Sequence, residues 1–249
     1  MLRTVYVMWL REVKKFLRSP SRIIAALAQP LFYLLALGFG LGGVFQAAGH
    51  GSYIQFLVPG IVGMTIVFTS VFNGMQVIWD RQFGFMKETM VAPVPRSAIM
   101  FGRTLGGATV ATLQGLVVLA LTLVIGFHPH NWALVFPAIA LMLLVATVFS
   151  ALGIIVASHL SDMQSFQFVV NFMVMPMFFL SGALFPLGTS PLVLRAFATF
   201  DPLTYGVDGM RALLSNASHY GSATDITVLF AVAVLLLVMG SYRFARMEA

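Results

Sequence analysis

The sequence predicts an all-α integral membrane protein. It has six transmembrane helices, an N-terminal amphipathic interface helix, a short cytoplasmic helix and short re-entrant helices before the last span. Three observations predict this. First, only 9% of the 249 residues are charged and 59% are apolar, against about 25% charged in soluble domains. A soluble fold of this size would lack the charges to face water. Second, the charges are clustered. No Asp, Glu, Lys or Arg occurs from Ile23 to Trp79, from Thr104 to Ser161, from Met163 to Leu194 or from Ile226 to Tyr242. One crossing takes about 20 apolar residues for a hydrocarbon core of ~30 Å. The first two runs therefore hold two spans and a turn each, the third holds one span with a remainder, and the fourth one short span. Third, the basic residues fall almost wholly on one side of those spans.

Residues 1–21 read as an interface helix. Leu2, Val5, Trp9, Val13 and Phe16 recur at helical spacing, while Arg3, Arg11, Lys14 and Arg18 share another face with Lys15 beside them. Such a helix lies in the plane of the interface with its basic face toward anionic headgroups. One reading is a simple anchor; a sharper one adds contact with a cytoplasmic partner. Ser19-Pro20-Ser21 ends it, because the residue before proline avoids the helical region. The basic segment is too long and the following apolar run too full for a cleaved leader, so the first span is expected to remain.

The spans are read as Ile23–Val44, Ile54–Trp79, Ile99–Phe127, Ala133–Ala157, Ser165–Phe185 and Asp225–Tyr242. With the N-terminus in the cytoplasm, the inner side holds Arg3, Arg11, Lys14, Lys15, Arg18, Arg22, Arg81, Lys87, Arg96, Arg103, Arg243 and Arg246. The outer side holds Arg195 and Arg211. The positive-inside rule then places both termini inside. The net charge of +6 is thereby spent at a membrane surface, and no nucleic-acid partner is expected. The absence of cysteine excludes a disulfide framework and a thiolate metal site.

The outer turns are Phe45–Tyr53, rich in small residues, and His128-Pro129-His130-Asn131, which Pro and Asn favour. The two histidines, with no carboxylate or cysteine nearby, read as interfacial residues rather than metal ligands. Asp162, beside Ser161 in the inner turn, reads as a helix N-cap. Gly38-x-x-x-Gly42 and Gly102-x-x-x-Gly106 would let helices approach closely, with a dimer face as the special case. Residues 186–224 carry Pro191, Pro202, Gly206 and Gly209 among apolar residues. They are too apolar for a free loop and too interrupted for a span. Backbone of that kind at membrane depth must be buried in protein or line a cavity.

Two segments carry mechanism. In residues 80–96, Phe83, Met86 and Met90 fall on one helical face with Lys87 and Glu88 beside it, and Pro93 and Pro95 end the helix. A short helix presenting apolar and charged groups can dock in a partner's groove; the plain alternative is a membrane-surface turn. Near the last span, Asp208 and Arg211 stand three residues apart, a spacing that allows a pair, either as bracing or as part of an outer gate.

At these residues the chain resembles a known family. The run Phe83, Lys87-Glu88, Ala92-Pro93-Val94-Pro95-Arg96 and Gly102-Arg103 looks like the cytoplasmic loop of ABC type-2 exporter permeases. Asp201-Pro202-Leu203-Thr204-Tyr205-Gly206-Val207-Asp208-Gly209-Met210-Arg211 is similar to that family's motif before the last span, with Asp201 where Asn is usual. Leu180-Ser181-Gly182 with Phe185-Pro186 is a third match. The closest resemblance is to permeases of drug-resistance and lipooligosaccharide or nodulation-factor exporters, and it covers the whole chain as a single membrane domain, residues 1–249.

The resemblance implies a subunit of a bacterial inner-membrane exporter, assembled from two membrane subunits and two separate ATP-binding cassette subunits. ATP and Mg would be held by those partner chains, and this chain would hold no cofactor and catalyse nothing. The sequence has no Gly-x-x-x-x-Gly-Lys-Ser/Thr phosphate loop. The resemblance also implies that the helix in residues 80–96 is the coupling helix, with Phe83, Met86, Lys87, Glu88 and Met90 against the ATP-binding subunit. Asp201, Tyr205, Asp208 and Arg211 would brace or gate the outer end. Phe occurs 23 times; an aromatic pathway wall would suit an amphipathic solute such as a drug, lipid, glycolipid or polysaccharide. A stand-alone secondary transporter or channel is the alternative. Ion-coupled carriers commonly place charge within the membrane, and spans one to five carry none apart from Arg103 at the inner end of the third. A membrane-embedded enzyme finds no His/Asp/Glu constellation to support it.

Overall fold

A computed structural model describes residues 1–47, 52–85 and 94–245. Among them, six helices are long and apolar enough to cross a membrane: Ile23–Gly40, Tyr53–Gln82, Arg96–Ile125, Trp132–His159, Met163–Leu180 and Ser222–Phe244. The described elements are α1 (Leu2–Leu17), α2 (Pro20–Gly40), α3 (Gly42–Ala47), α4 (Tyr53–Asn73), α5 (Met75–Gln82), α6 (Arg96–Ile125), α7 (Val135–His159), α8 (Met163–Leu180), α9 (Leu192–Phe200), α10 (Pro202–Ser215) and α11 (Ser222–Ala245). Every described element is helical, as the sequence predicts. Six crossings return the chain to its starting side, so α1, α5 and the end of α11 share one end of the bundle, the near end. Residues 41–47, the turn 126–134 and the segment 181–221 share the far end.

The helix limits differ from the sequence reading where local chemistry outweighs apolarity. The first span stops at Gly40 rather than Val44, and Leu41 separates it from α3. Gly38, Gly40, Gly42 and Gly43 crowd that stretch, and each costs a helix about 1 kcal/mol relative to Ala. The fifth span ends at Leu180 rather than Phe185. Gly182 turns the chain with φ of 73°, a left-handed conformation that glycine adopts without strain. The apolar Ala183 that follows is buried against α4 instead of extending α8. The sixth span opens at Ser222, with Asp225 inside its first turn.

Capping follows the sequence more closely. The Asp162 carboxylate accepts the Ser165 amide at 2.7 Å and opens α8. That bond holds its carboxyl below the usual range, the direction expected when hydrogen bonds favour the charged form. Asn131 accepts the Ala133 amide at 2.9 Å before a 3₁₀ turn. Pro20 starts α2 at a position where its missing N–H has no helical partner to lose.

The core is formed by α4, α6 and α7, with α10 and α11 packed on them. The helix α4 is buried over most of its length, whereas α2, α8 and α11 are largely exposed. The helices α4 and α7 cross backbone to backbone. A Cβ at Gly74 would lie 2.4 Å from the Gly153 carbonyl, and one at Gly153 would lie 2.5 Å from the Val71 oxygen. This crossing also marks the joint at Gly74 where α4 gives way to α5. Residues 186–221 form a 3₁₀ turn, Leu187–Thr189, then α9 and α10, the latter set between α4, α7 and α11.

Candidate functional site at the near end of the bundle

The helix α1 docks lengthwise on α6. The line that reaches α6 is Met8 and Glu12, both buried, flanked by the half-buried Val5, Trp9, Val13 and Phe16 of the predicted apolar face. Leu2, predicted on that face, is 86% exposed. The seat is made by the Gly102-x-x-x-Gly106 pair: a Cβ on Gly102 would meet Met8 Cβ at 2.6 Å, and one on Gly106 would meet Glu12 Cβ at 2.7 Å. The glycine pair thus serves a helix of its own chain. Trp9 Nε1 donates to Thr109 Oγ1 at 2.9 Å and fixes the register.

At the same end Asp80, on α5, is buried between two arginines. Arg11 Nη2 of α1 reaches its two carboxylate oxygens at 3.1 and 3.2 Å, and Arg103 of α6 donates to Oδ2. The Arg103 side chain is as buried as Asp80, while Arg11 is partly exposed. Lys15 donates to Gln76, one turn earlier on α5. On the other flank Arg81 donates to the carbonyls of Leu160 and Ala157, at 3.3 and 3.4 Å, and Gln82 to that of Ser161, at 3.2 Å. Those carbonyls close α7, and a cation near a helix C-terminus also complements its dipole. One helix of eight residues is therefore tied to α1, α6 and the end of α7. A rigid displacement of α5 would move three of its neighbours with it.

Phe83 caps α5, is 60% exposed, and lies 5.3 Å from the Trp79 ring. With Phe85, Trp79, Gln76, Arg11, Lys15 and Asp80 it lines an open hollow of about 380 Å³. The other expected coupling residues, Met86, Lys87, Glu88 and Met90, lie outside the described residues. Of the basic residues of α1, Arg11 and Lys15 face α5, while Lys14 and the capping Arg18 are exposed.

At the far end Asp201, Tyr205, Asp208 and Arg211 lie on or cap α10. Asp201 caps it, accepting the Leu203 amide at 2.9 Å, and its Oδ2 is buried without a partner among the described residues. Tyr205 donates to the Thr199 carbonyl at 2.8 Å. Asp208 and Arg211 do not pair. Asp208 accepts the His219 and Tyr220 amides at 2.9 and 2.8 Å and the Ser218 hydroxyl at 3.1 Å, which orders the turn into α11. Arg211 donates to the Gly182 carbonyl at 3.1 Å and stacks 3.9 Å from the Phe56 ring centroid. The spacing permits the pair, but backbone amides take the carboxylate and a backbone carbonyl with an aromatic ring takes the guanidinium. Asp208 and Arg211 both line a cleft of about 260 Å³ at this end.

Sequence reasoning missed Asp80 and Glu12. Asp80 carried a legible signal: it is the first charge after the run from Ile23 to Trp79, and Arg103 is the last before the run from Thr104. Opposite charges bounding two antiparallel spans lie at one level. Glu12 carried none, since only docking on α6 distinguishes it from a solvated acid.

The sequence matches the family described as ABC-2 type transporter over residues 3–215, from α1 through α10. It is similar to nodulation protein J of Rhizobium leguminosarum bv. trifolii, 27% identical over 214 residues that cover 85% of this chain and 79% of that protein. It is also similar to inner membrane transport permease YadH of Escherichia coli (strain K12), 26% identical over 234 residues covering 92% and 90%.

Proposed function

Because the chain belongs to the ABC-2 type transporter family, we propose that it is the membrane-spanning subunit of an ATP-driven exporter, powered by a separate ATP-binding cassette subunit. The observation that carries this reading is the junction around α5. The segment leading into residues 83–96 is tied by charge and hydrogen bonds to α1, α6 and α7. A push on that segment from an ATP-binding partner would reach the bundle as movement of several helices rather than of one loop. Phe83 and the adjoining hollow present aromatic and basic groups for such contact, and Glu88 supplies the acid. ATP and Mg belong to the partner.

The working unit in this reading holds two membrane subunits and two ATP-binding subunits, since closed two-fold pairs are the commonest assembly. The pathway borders α2 and α4, where Gln29, Thr65 and Thr69 share a cleft of about 220 Å³ with Phe68 and Phe72. Gln29 is exposed on the first span, and an amide facing lipid at that depth is unfavourable. Amide and hydroxyl groups beside aromatic rings suit an amphipathic solute: a drug, a lipid, a glycolipid or a polysaccharide. Asp208 and Arg211, in the far-end cleft, stand where an outer gate would be.

In the same reading the near end is cytoplasmic and the membrane is the bacterial inner membrane. The name of YadH places that protein in the inner membrane, and the distribution of basic residues supports the orientation. Single cysteines test it cleanly because the native chain has none. An impermeant thiol reagent should label a cysteine replacing Ser52 or Asn131 in intact cells and leave one replacing Thr89 unlabelled. Labelling at position 89 from outside would reverse the orientation.

The coupling role is tested by Phe83→Ala, Glu88→Ala and the double variant. Truncating one partner of a buried charged contact costs roughly 2–5 kcal/mol, enough to weaken co-purification of the ATP-binding subunit at least about tenfold. Substrate-stimulated ATPase activity should fall with it at matched membrane expression. A double variant with normal co-purification and normal stimulation would remove the coupling role.

A further inference from the structure

A small polar pocket lies where α1 ends and α2 begins, next to the cleft at Gln29, with which it shares Ala26 and Thr69, and to the hollow at Phe83, with which it shares Lys15. Glu12 and Lys15 of α1, Thr69 and Asn73 of α4 and Gln114 of α6 line it, closed by Phe16, Ala26 and Val110, around about 40 Å³. Glu12 is 6% exposed and, among the described residues, makes no hydrogen bond or ion pair. Gln114 is fully buried. Its Nε2 donates to the Ile23 carbonyl at 3.2 Å, which fixes the amide and leaves Oε1 buried without a partner among the described residues. Lys15, on the rim, donates away from the pocket to Gln76.

We propose that this pocket binds a primary ammonium group. A carboxylate on a buried side chain, open only to a small pocket, is met by a cation or several donors, and an orphaned carbonyl needs a donor. A primary ammonium meets both demands at once: it carries a positive charge, three N–H donors and no acceptor. Thr69 and Asn73 offer further oxygens for its remaining donors. The space admits an –NH₃⁺ head. A trimethylammonium carries the charge but has no N–H to give the carbonyl. The pocket sits beside the α1–α2 elbow, where the chain turns from α1 into the first span. The ammonium therefore comes either from an aminoethyl lipid headgroup or from an amine-bearing solute. The inference rests on the pocket alone and holds whichever subunit drives transport.

Two measurements on the full chain test it. In nanodiscs containing phosphatidylethanolamine, phosphatidylcholine and phosphatidylglycerol in equal parts, native mass spectrometry should show phosphatidylethanolamine retained over phosphatidylcholine by about tenfold, the worth of one charge-assisted hydrogen bond. The isosteric Glu12→Gln should abolish that preference without changing retention of the other two lipids. In vesicles of phosphatidylcholine alone, a cysteine replacing Thr69 should be labelled about tenfold more slowly with saturating ethylammonium present, but not with tetramethylammonium, and Glu12→Gln should remove the protection. Retention of phosphatidylethanolamine identifies a headgroup site. Protection by ethylammonium without lipid preference identifies a site for a soluble amine. Equal behaviour of primary and quaternary amines in both measurements, or a Glu12→Gln variant that behaves as the native chain, overturns the proposal.

Discussion

Asp80→Ala should destabilise the protein by roughly 3–5 kcal/mol, the cost of leaving a buried charge without its partner. The stranded group is Arg103, 3% exposed, whose Nε and Nη1 already lack partners among the described residues. The effect should appear as a lower thermal unfolding midpoint in mild detergent and as reduced monodisperse yield. Arg11→Ala makes the contrast. Arg11 lies partly in solvent, and an ion pair of that kind contributes no more than about 1 kcal/mol. A buried pair replaced by apolar groups of similar volume is often neutral or stabilising, so Asp80→Leu combined with Arg103→Met should recover most of the loss. That recovery separates the cost of an orphaned charge from the cost of a damaged helix contact. Equal midpoints for Asp80→Ala and Arg11→Ala would show that Arg103 does not depend on Asp80.

Gly153→Val should cost roughly 3 kcal/mol, at the upper end for overpacking, and should deplete folded protein in the membrane. The usual relief for an oversized side chain is a rotamer change in its neighbour. Here the neighbour is backbone: a Cβ at residue 153 would lie 2.5 Å from the Val71 oxygen and 2.8 Å from its Cα. The helices α4 and α7 would have to separate where α4 joins α5, and the ties of Arg81 and Gln82 to the end of α7 would be strained with them. Gly43→Ala is the matched control, because a Cβ there meets nothing within 4 Å; its effect should stay within about 0.5 kcal/mol. Comparable yields for the two variants would mean that the crossing is looser than it stands here.

Both results concern features that a single pass along the sequence reads poorly. The spans are legible because a hydrocarbon core demands long runs without charge, and four such runs account for all six. Their limits are less legible, because apolarity continues past the helix. Ala183 is as apolar as the residues of α8, yet the φ of Gly182 sends it under α4. The caps at Asp162 and Asn131 are local, side chain to backbone within three residues, and so could be read directly. The pairing of Asp208 with Arg211 could not, since spacing says which groups can meet but not which competing partner is nearer. The same holds for Gly102 and Gly106: small residues at that interval announce close approach but do not say which helix arrives.

By itself the sequence determined the class of the protein, its six crossings and the lopsided placement of its basic residues, and it carried the motifs of its family. These follow from composition and periodicity, which act through solvent and lipid along the chain. Only the tertiary structure decided that α1 rests on α6, that Asp80 joins α5 to two arginines, and that Glu12 and Gln114 face one pocket. Those depend on which surfaces meet when helices far apart in sequence pack together. The free energy of a buried charge is set by the groups around it in space, and its neighbours in the chain do not reveal them.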